Sequence, residues 1–373
     1  AGATSGRDYW QSESDLASYD ATFAQRIGWK WDYVLAELTR RGWVPPLGEL
    51  LDWGCGSGIA GRAFLDHFGT QSVTGLRVWD RSAAAMAFAA RRAREKYPGL
   101  AVDTGRGDFP AGLFAHPPPT HKPAPASRGR GHKSAPSEIL ESQDRRPSAT
   151  SFPGFNARDQ VLGNPLPMGT GEPNSKILLL SHVLPELTPE QTAELMDLTA
   201  RAQCVLWVEP GTHEVSRRLI AIRERLRERF NIIAPCTHST TCGMLTPGNE
   251  RHWCHHFAAP PREIFTDGNW SRFARLTGID LRDLPLSFLV LDQRSGPSLP
   301  AEAGRVIGHP RIYKAHALLL GCDATGVREH KLNQRTLPGE FRALKKSATD
   351  GLRIWEWAGD EIVASKPLPE PAP

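Results

Sequence analysis

Gly48-Glu49-Leu50-Leu51-Asp52-Trp53-Gly54-Cys55-Gly56-Ser57-Gly58 sets three glycines at alternate positions directly behind a short apolar strand, and an apolar helix through Phe64 and Leu65 follows. Backbone without Cβ atoms lets a ligand come close, and the helix start offers unpaired N–H groups. A tight turn without a ligand would need neither of two acidic residues found nearby. Asp52 stands two residues before the first glycine, and Asp80 closes the next strand, Ser72 to Trp79. A carboxylate at Asp80 can accept both hydroxyls of a ribose. The spacing therefore points to a nucleoside ligand. Its G-x-G-x-G order departs from the G-x-G-x-x-G of nicotinamide dinucleotide sites.

Outward from this loop the chain alternates strands and helices. Tyr19, Phe23, Ile27, Trp31, Leu35 and Leu38 recur at helical steps and predict one amphipathic entry helix between Ser14 and Trp43. Ser82 can cap a helix from Ala83 to Tyr97, and a third strand is expected near Leu100 to Val102. Beyond the loop's partners, Lys176 to Leu184 reads as a buried strand, Thr188-Pro189 as a helix start, Cys204 to Glu209 as a strand, and His213 to Phe230 as an arginine-rich helix. This order predicts an α/β, doubly wound, mostly parallel Rossmann-like sheet, with a cysteine-containing C-terminal extension. Further strands are expected at Ser287 to Asp292, Tyr313 to Leu320 and Leu352 to Trp357.

Composition sets the limits. A length of 373 residues suggests about two domains. The parts read as an N-terminal helical segment (1–45), a sheet domain (46–230) interrupted by a flexible insertion (110–173), a β-rich cysteine-bearing part (231–365) and a proline-rich tail (366–373). The insertion holds 12 of the 31 prolines. With 40% hydrophobic residues and no apolar run near the roughly 18 residues of a membrane span, a transmembrane role is excluded. Six unevenly spaced cysteines are too few for a disulfide scaffold and favour a reducing compartment. The first residue is Ala1, so an upstream targeting segment could have been removed. A net charge of +4 permits a nucleic-acid partner without demanding one.

The glycine loop resembles the first motif of the class I S-adenosylmethionine-dependent methyltransferases. That resemblance implies that Asp52, Gly54, Gly56 and Gly58 line the methionine side of S-adenosylmethionine, Asp80 its ribose and Asp108 its adenine. The Asn- or Asp-Pro-Pro-aromatic motif of base-amine methyltransferases is replaced by Ser181-His182-Val183-Leu184-Pro185-Glu186, leaving His182 as a candidate general base or a merely hydrogen-bonded histidine. Pro235-Cys236 imitates the nucleophile of cytosine-C5 methyltransferases but follows the wrong strand.

Cys236, Cys242 and Cys254 fall at C-x5-C-x11-C, with Cys322 a distant fourth, and His238, His252, His255 and His256 crowd the same stretch. Four thiolates suit an iron–sulfur cluster or a tetrahedral zinc ion, and the spacing alone leaves both open. The wording around them, Ala234-Pro235-Cys236-Thr237-His238, Thr241-Cys242 and His252-Trp253-Cys254-His255-His256-Phe257, resembles the methyltransferase-like ribosomal small-subunit assembly factors of mitochondria and their bacterial relatives. Ala17-Ser18-Tyr19-Asp20, Leu180 to Leu187 and Val208-Glu209-Pro210-Gly211-Thr212 extend the likeness. It implies a [4Fe–4S] cluster on Cys236, Cys242, Cys254 and Cys322, and contact with the small ribosomal subunit and its rRNA. Two basic stretches fit such a partner: Glu214 to Phe230 holds six arginines against three glutamates, and Arg328 to Lys346 six Lys or Arg against two glutamates. Three readings follow: a factor that methylates rRNA, a non-catalytic rRNA-binding assembly factor, and a zinc-stabilised methyltransferase acting on a protein or small molecule. A bacterial cytoplasm is favoured slightly over a mitochondrial matrix. The sequence leaves the oligomeric state open.

Overall fold

Strands buried on both faces must be covered by helices on both sides, and Ile177 to Leu180 and Cys204 to Val208 are fully buried in this way. The computed structural model describes residues 10, 12–104, 175–346 and 351–369. The insertion expected at 110–173 and the last four residues of the tail lie outside them. At the centre, β1 (Gly48–Trp53) pairs in parallel with β2 (Val73–Trp79) on one side and β4 (Ser175–Ser181) on the other. β3 (Val102–Asp103) adds to β2, and β5 (Cys204–Pro210) adds to β4. β8 (Leu284–Asp292) then runs antiparallel to β5, and β6 (Asn231–Ala234) antiparallel to β8. The order β3-β2-β1-β4-β5-β8-β6, with the short β7 (His256–Ala258) beside β8, is the doubly wound sheet the alternation predicts. Strand order reverses between β1 and β4, and the crevice at their carboxyl ends is where such sheets take ligands.

The entry helix is two helices, α1 (Glu13–Ala21) and α2 (Phe23–Arg40), rather than the single one expected. Thr22, at φ −127° and ψ −88°, breaks the chain between them, so the unbroken four-residue spacing of apolar side chains spans a corner. Trp31, Val34, Leu35 and Leu38 of α2 are buried in the main core. α3 (Ile59–Phe68) and α4 (Ala83–Lys96) follow, the latter capped as expected by Ser82, whose Oγ accepts from the Ala85 N–H. α5 (Pro189–Thr199) begins with a reciprocal Thr188/Gln191 capping box. α6 (His213–Leu226) completes the helical cover.

β9 (Ala303–Ile312), β10 (His316–Asp323), β11 (Gly326–Asn333), α7 (Pro338–Lys345), β12 (Leu352–Ala358) and β13 (Glu361–Lys366) form a closed barrel in the order β10-β11-β13-β12-β9. All its pairs are antiparallel except β11 with β13. The strand expected at Tyr313 to Leu320 starts only at His316, because the residues before it form a tight turn in which the Tyr313 N–H donates to the His316 carbonyl at 2.8 Å. Ala317, Leu319, Leu332, Phe341, Trp355 and Ile362 fill the barrel. It docks on the sheet domain through a small core of Ile220, Cys242, Met244 and Ile307, against which Cys254, Leu320, Cys322 and Val327 pack.

A buried ionic strut ties the two parts together. Glu37 of α2 accepts from Arg41 and from Arg305 of β9. The two guanidiniums reach on to the carbonyls of Ile233, Pro235 and Cys236. Burial works against ionisation of Glu37, but the two arginines hold its carboxyl down at about 2.

Candidate functional site

The residues singled out in the sequence gather at two places, one at the carboxyl ends of β1 and β4 and one where the barrel docks. At the first, Gly54, Gly56 and Gly58 all have positive φ, from 51° to 78°. The Gly54 and Cys55 N–H groups donate to the Trp79 carbonyl, which pins the loop to the end of β2. A Cβ on Gly54 would stand 2.7 Å from Val183, and one on Gly58 2.8 Å from Ala89, so both glycines permit close packing. A Cβ on Gly56 would meet nothing within 4 Å, so this is the part of the loop that faces open space.

Asp52 is fully buried behind the loop. Its Oδ2 accepts from the Gly61 N–H at 2.9 Å and its Oδ1 has no partner. Burial pushes its carboxyl up to about 7 despite the pull of that N–H and of Arg62. Asp80 spans two backbone donors, Oδ2 taking the Gly56 N–H and Oδ1 the Ser82 N–H, each at 2.9 Å. It therefore shapes the loop itself. Asp108 lies outside the described residues. Arg62, which no pattern in the sequence singles out, donates to the Ser57 carbonyl and to Asp20 of α1, closing the entry helix over the loop. An orphaned buried Asp52 oxygen, a buried Ser57 hydroxyl without a partner and an open Gly56 fit a ligand carrying cationic and hydroxyl groups.

His182 directly follows β4 in the left-handed region at φ 58°, a strained position for a residue with a Cβ. Its Nε2 lies 3.2 Å from Lys30 Nζ of α2, and Ser181 Oγ accepts from Trp31 Nε1. Burial, then the neighbouring Lys30 and Arg26 charges, carry the imidazole well below its usual range, so it is neutral. With Lys30 charged, Nε2 is its acceptor. Burial and Arg26 in turn bring Lys30 down to about 8. Nearby, Glu209 accepts from the Val183 and Leu184 N–H groups and from Trp207 Nε1, and burial raises it to about 7. Lys30 and Glu209 were not found from the sequence. Lys30 reads as a solvated helix residue, and only the fold turns it inward.

At the second centre, Cys236 follows β6, Cys242 opens a short turn, Cys254 precedes β7 and Cys322 lies on β10. The fold brings all four cysteines into one another's electrostatic reach. Burial, then the Cys236 thiol, raise Cys242 to about 11. Cys254 and Cys322 are raised by burial and by the other cysteines. Arg223 of α6 donates from Nε to Cys236 Sγ at 3.3 Å and from its terminal nitrogens to the carbonyls of His238 and Thr240. Ser216 and Ser287 hold the Cys254 carbonyl. Among the described residues no group of three or more His, Cys, Asp or Glu side chains could hold a metal ion as they stand. His256 lies 3.6 Å from Cys254 Sγ and His238 3.9 Å from Cys322 Sγ.

The arginine-rich helix α6, expected to offer charge to RNA, turns several of its arginines inward. Arg217 donates to Met244, Arg218 to Leu184 and Leu187, and Arg223 to the cysteine loop, so three of the six arginines between Glu214 and Phe230 brace neighbouring segments. Of the six, Arg225 and Arg229 are exposed. Among the described residues no helix is long and apolar enough to cross a membrane.

No curated protein matches the chain. Among solved structures, magnesium protoporphyrin IX methyltransferase of Synechocystis PCC 6803, with bound S-adenosylhomocysteine, is 13% identical, with 77% of this chain and 90% of that one covered at a TM-score of 0.33. A Haemonchus contortus phosphoethanolamine N-methyltransferase is 14% identical, covering 78% and 62% at 0.30. A family profile described as mitochondrial small ribosomal subunit Rsm22 matches residues 157–351, beginning inside the proline-rich stretch and taking in all four clustered cysteines. With just over half of the chain matched, the protein belongs to the Rsm22 family.

Proposed function

We propose that this protein is an S-adenosylmethionine-binding factor of the small ribosomal subunit whose Cys236, Cys242, Cys254 and Cys322 hold a [4Fe–4S] cluster. The observation that carries the reading is the meeting of four thiols from the β6–β7 connection and β10 at the seam between sheet and barrel. Cys242, Cys254 and Cys322, raised by burial and by their neighbours, stay protonated unless a cation compensates them. Four cysteine sulfurs supply one thiolate for each iron of a cuboidal cluster. The alternative, one tetrahedral zinc, would need the same four drawn closely around a single ion. Arg223 offers the positive charge and hydrogen bond that a thiolate at Cys236 would use. The family description supports the small ribosomal subunit as partner, and exposed basic residues on β11 and α7 support contact with its rRNA. A reducing compartment, mitochondrial matrix or bacterial cytoplasm, suits such a cluster.

Anaerobic purification followed by visible spectroscopy and iron, sulfide and zinc analysis tests the cluster. A brown protein with near-stoichiometric iron and sulfide, lost in Cys236→Ser and Cys322→Ser, is expected. A colourless protein with one zinc would overturn it and leave the zinc-stabilised reading.

Methylation of rRNA is the second reading, favoured by the buried Lys30–His182 pair beside the glycine loop, where Val183 touches the Gly54 position. S-adenosylmethionine, when bound, supplies an electrophilic methyl group. Asp52 would face its cationic end, Gly56 would give it room, and Lys30, brought down to about 8, would take up the proton an acceptor amine releases when it is in its neutral form. Transfer of labelled methyl groups to small subunits, abolished by Asp52→Ala, is the expected result. Without transfer, the factor binds the cofactor and the RNA but does no chemistry.

A further inference from the structure

We infer that the C-terminal barrel is a single-stranded RNA clamp, gripping bases at the β9–β10 turn and along the histidine–aromatic row beside it. The inference deepens the proposed ribosomal role and takes RNA as the polymer from it. The topology comes first: five strands closed as β9-β10-β11-β13-β12, β11 and β13 parallel, and a helix between the third and fourth strands. This is the arrangement of oligonucleotide-binding barrels, which meet their ligands on the second and third strands and on the loop between the first and second. Fold alone does not assign a ligand, so the side chains must.

The β9–β10 turn carries what a stacked base needs. Ile312 and Tyr313 are 40% and 47% exposed, unusual for large apolar groups in one small turn. The Tyr313 ring is stacked on His316, centroids 4.8 Å apart and planes 16° from parallel, so the pair is already ordered as a flat platform. Lys314 sits exposed at the tip of the turn. Next to this turn β9 bulges: it takes four steps from Ile307 to Arg311 where β10 takes two from Leu320 to Leu318. The bulge presents His309, 58% exposed and stacked on Phe257 at 3.5 Å, and Trp253 stacks in turn on His255 at 4.5 Å. Between the two stacked pairs His255 meets Phe257 edge-on at 77°, so the row offers separate ring faces, which suit unpaired bases whose faces all stack alike.

Charge selects the class of partner. Residues 303–346 contain nine Lys or Arg against three Asp or Glu, and Lys314, Arg328, Lys331 and Arg335 are exposed. A polyanion satisfies that balance, and aromatic faces offered beside it require bases that are not stacked in a duplex. A neutral or acidic protein surface would use the charge but not the platform.

The test measures binding by fluorescence anisotropy, using the full chain and a fluorescein-labelled RNA single strand of about 12 nucleotides, within the roughly 4–16 that one such barrel covers. The same strand annealed to its complement serves as the duplex probe. Tighter binding to the single strand is expected, weakened about tenfold by Tyr313→Ala and retained within about twofold by Tyr313→Phe. Lys314→Ala combined with Lys331→Ala should flatten the salt dependence. Wild-type binding that is unchanged in Tyr313→Ala, or that favours the duplex, overturns the clamp and leaves RNA contact to another surface. Failure of the wild type to bind either probe or to sediment with small subunits overturns the ribosomal reading as well.

Discussion

Replacing Asp52 with asparagine isolates the electrostatic cost of the carboxylate behind the glycine loop. Asp52 is fully buried, bonded once to the Gly61 N–H, and carries a pKa of about 7, against roughly 3.9 in an unfolded chain. A group whose pKa is raised by folding gives stability that is fully present below about pH 4 and is lost as pH rises towards 7, because the unfolded chain releases its proton first. Each pH unit inside that window costs about 1.4 kcal/mol, so the wild type should lose about 2 kcal/mol relative to Asp52→Asn between pH 5 and pH 7. The substituted amide keeps an acceptor for the Gly61 N–H, and any packing penalty it adds is independent of pH. Urea unfolding of both proteins without ligand, at pH 5, 6 and 7, reads the difference directly. The depressed histidines His67, His182 and His256 and the raised Glu209 titrate in both proteins and cancel. A difference that stays level across the three pH values would refute the buried, raised carboxyl and with it the orphaned oxygen offered to a cationic ligand.

Three further outcomes are expected. Gly54→Ala sets a Cβ 2.7 Å from Val183 at a positive φ, so it should lower the melting temperature and abolish S-adenosylhomocysteine binding by calorimetry, whereas Gly56→Ala, which carries the strain of its positive φ but meets no neighbour, should lower the melting temperature less while still impairing binding. Arg305→Met leaves Glu37 with one of its two buried cations, and a loss of about 3 kcal/mol in unfolding free energy is expected, with weakened retention of iron because the Pro235 carbonyl loses one of its two donors. Lys30→Met removes the nearest positive charge from His182, so the imidazole titration followed by NMR should move upward while staying below the usual histidine range, since burial is the larger cause.

The doubly wound order, the glycine loop with Asp52 and Asp80, the Ser82 and Thr188 caps and the strands at 177–180 and 204–208 were all legible because they rest on local rules: periodicity, capping and the freedom of glycine. The break at Thr22 was hidden because apolar spacing continues through it, and the β9–β10 turn because Tyr313 and His316 lie inside what reads as one strand. Spacing in the chain named three cysteines and the family resemblance the fourth, but only the insertion of β8 between β5 and β6 and the docking of the barrel could carry Cys322 to the other three. The arginines of α6 show the same limit. Their number is a property of the sequence, yet whether each faces solvent or braces a carbonyl depends on which segment folds against it, as Arg217, Arg218 and Arg223 illustrate. Lys30 and Glu209 carry perturbed pKa values for a reason no local pattern encodes: desolvation is set by everything packed around a group, and that surrounding exists only in the folded protein.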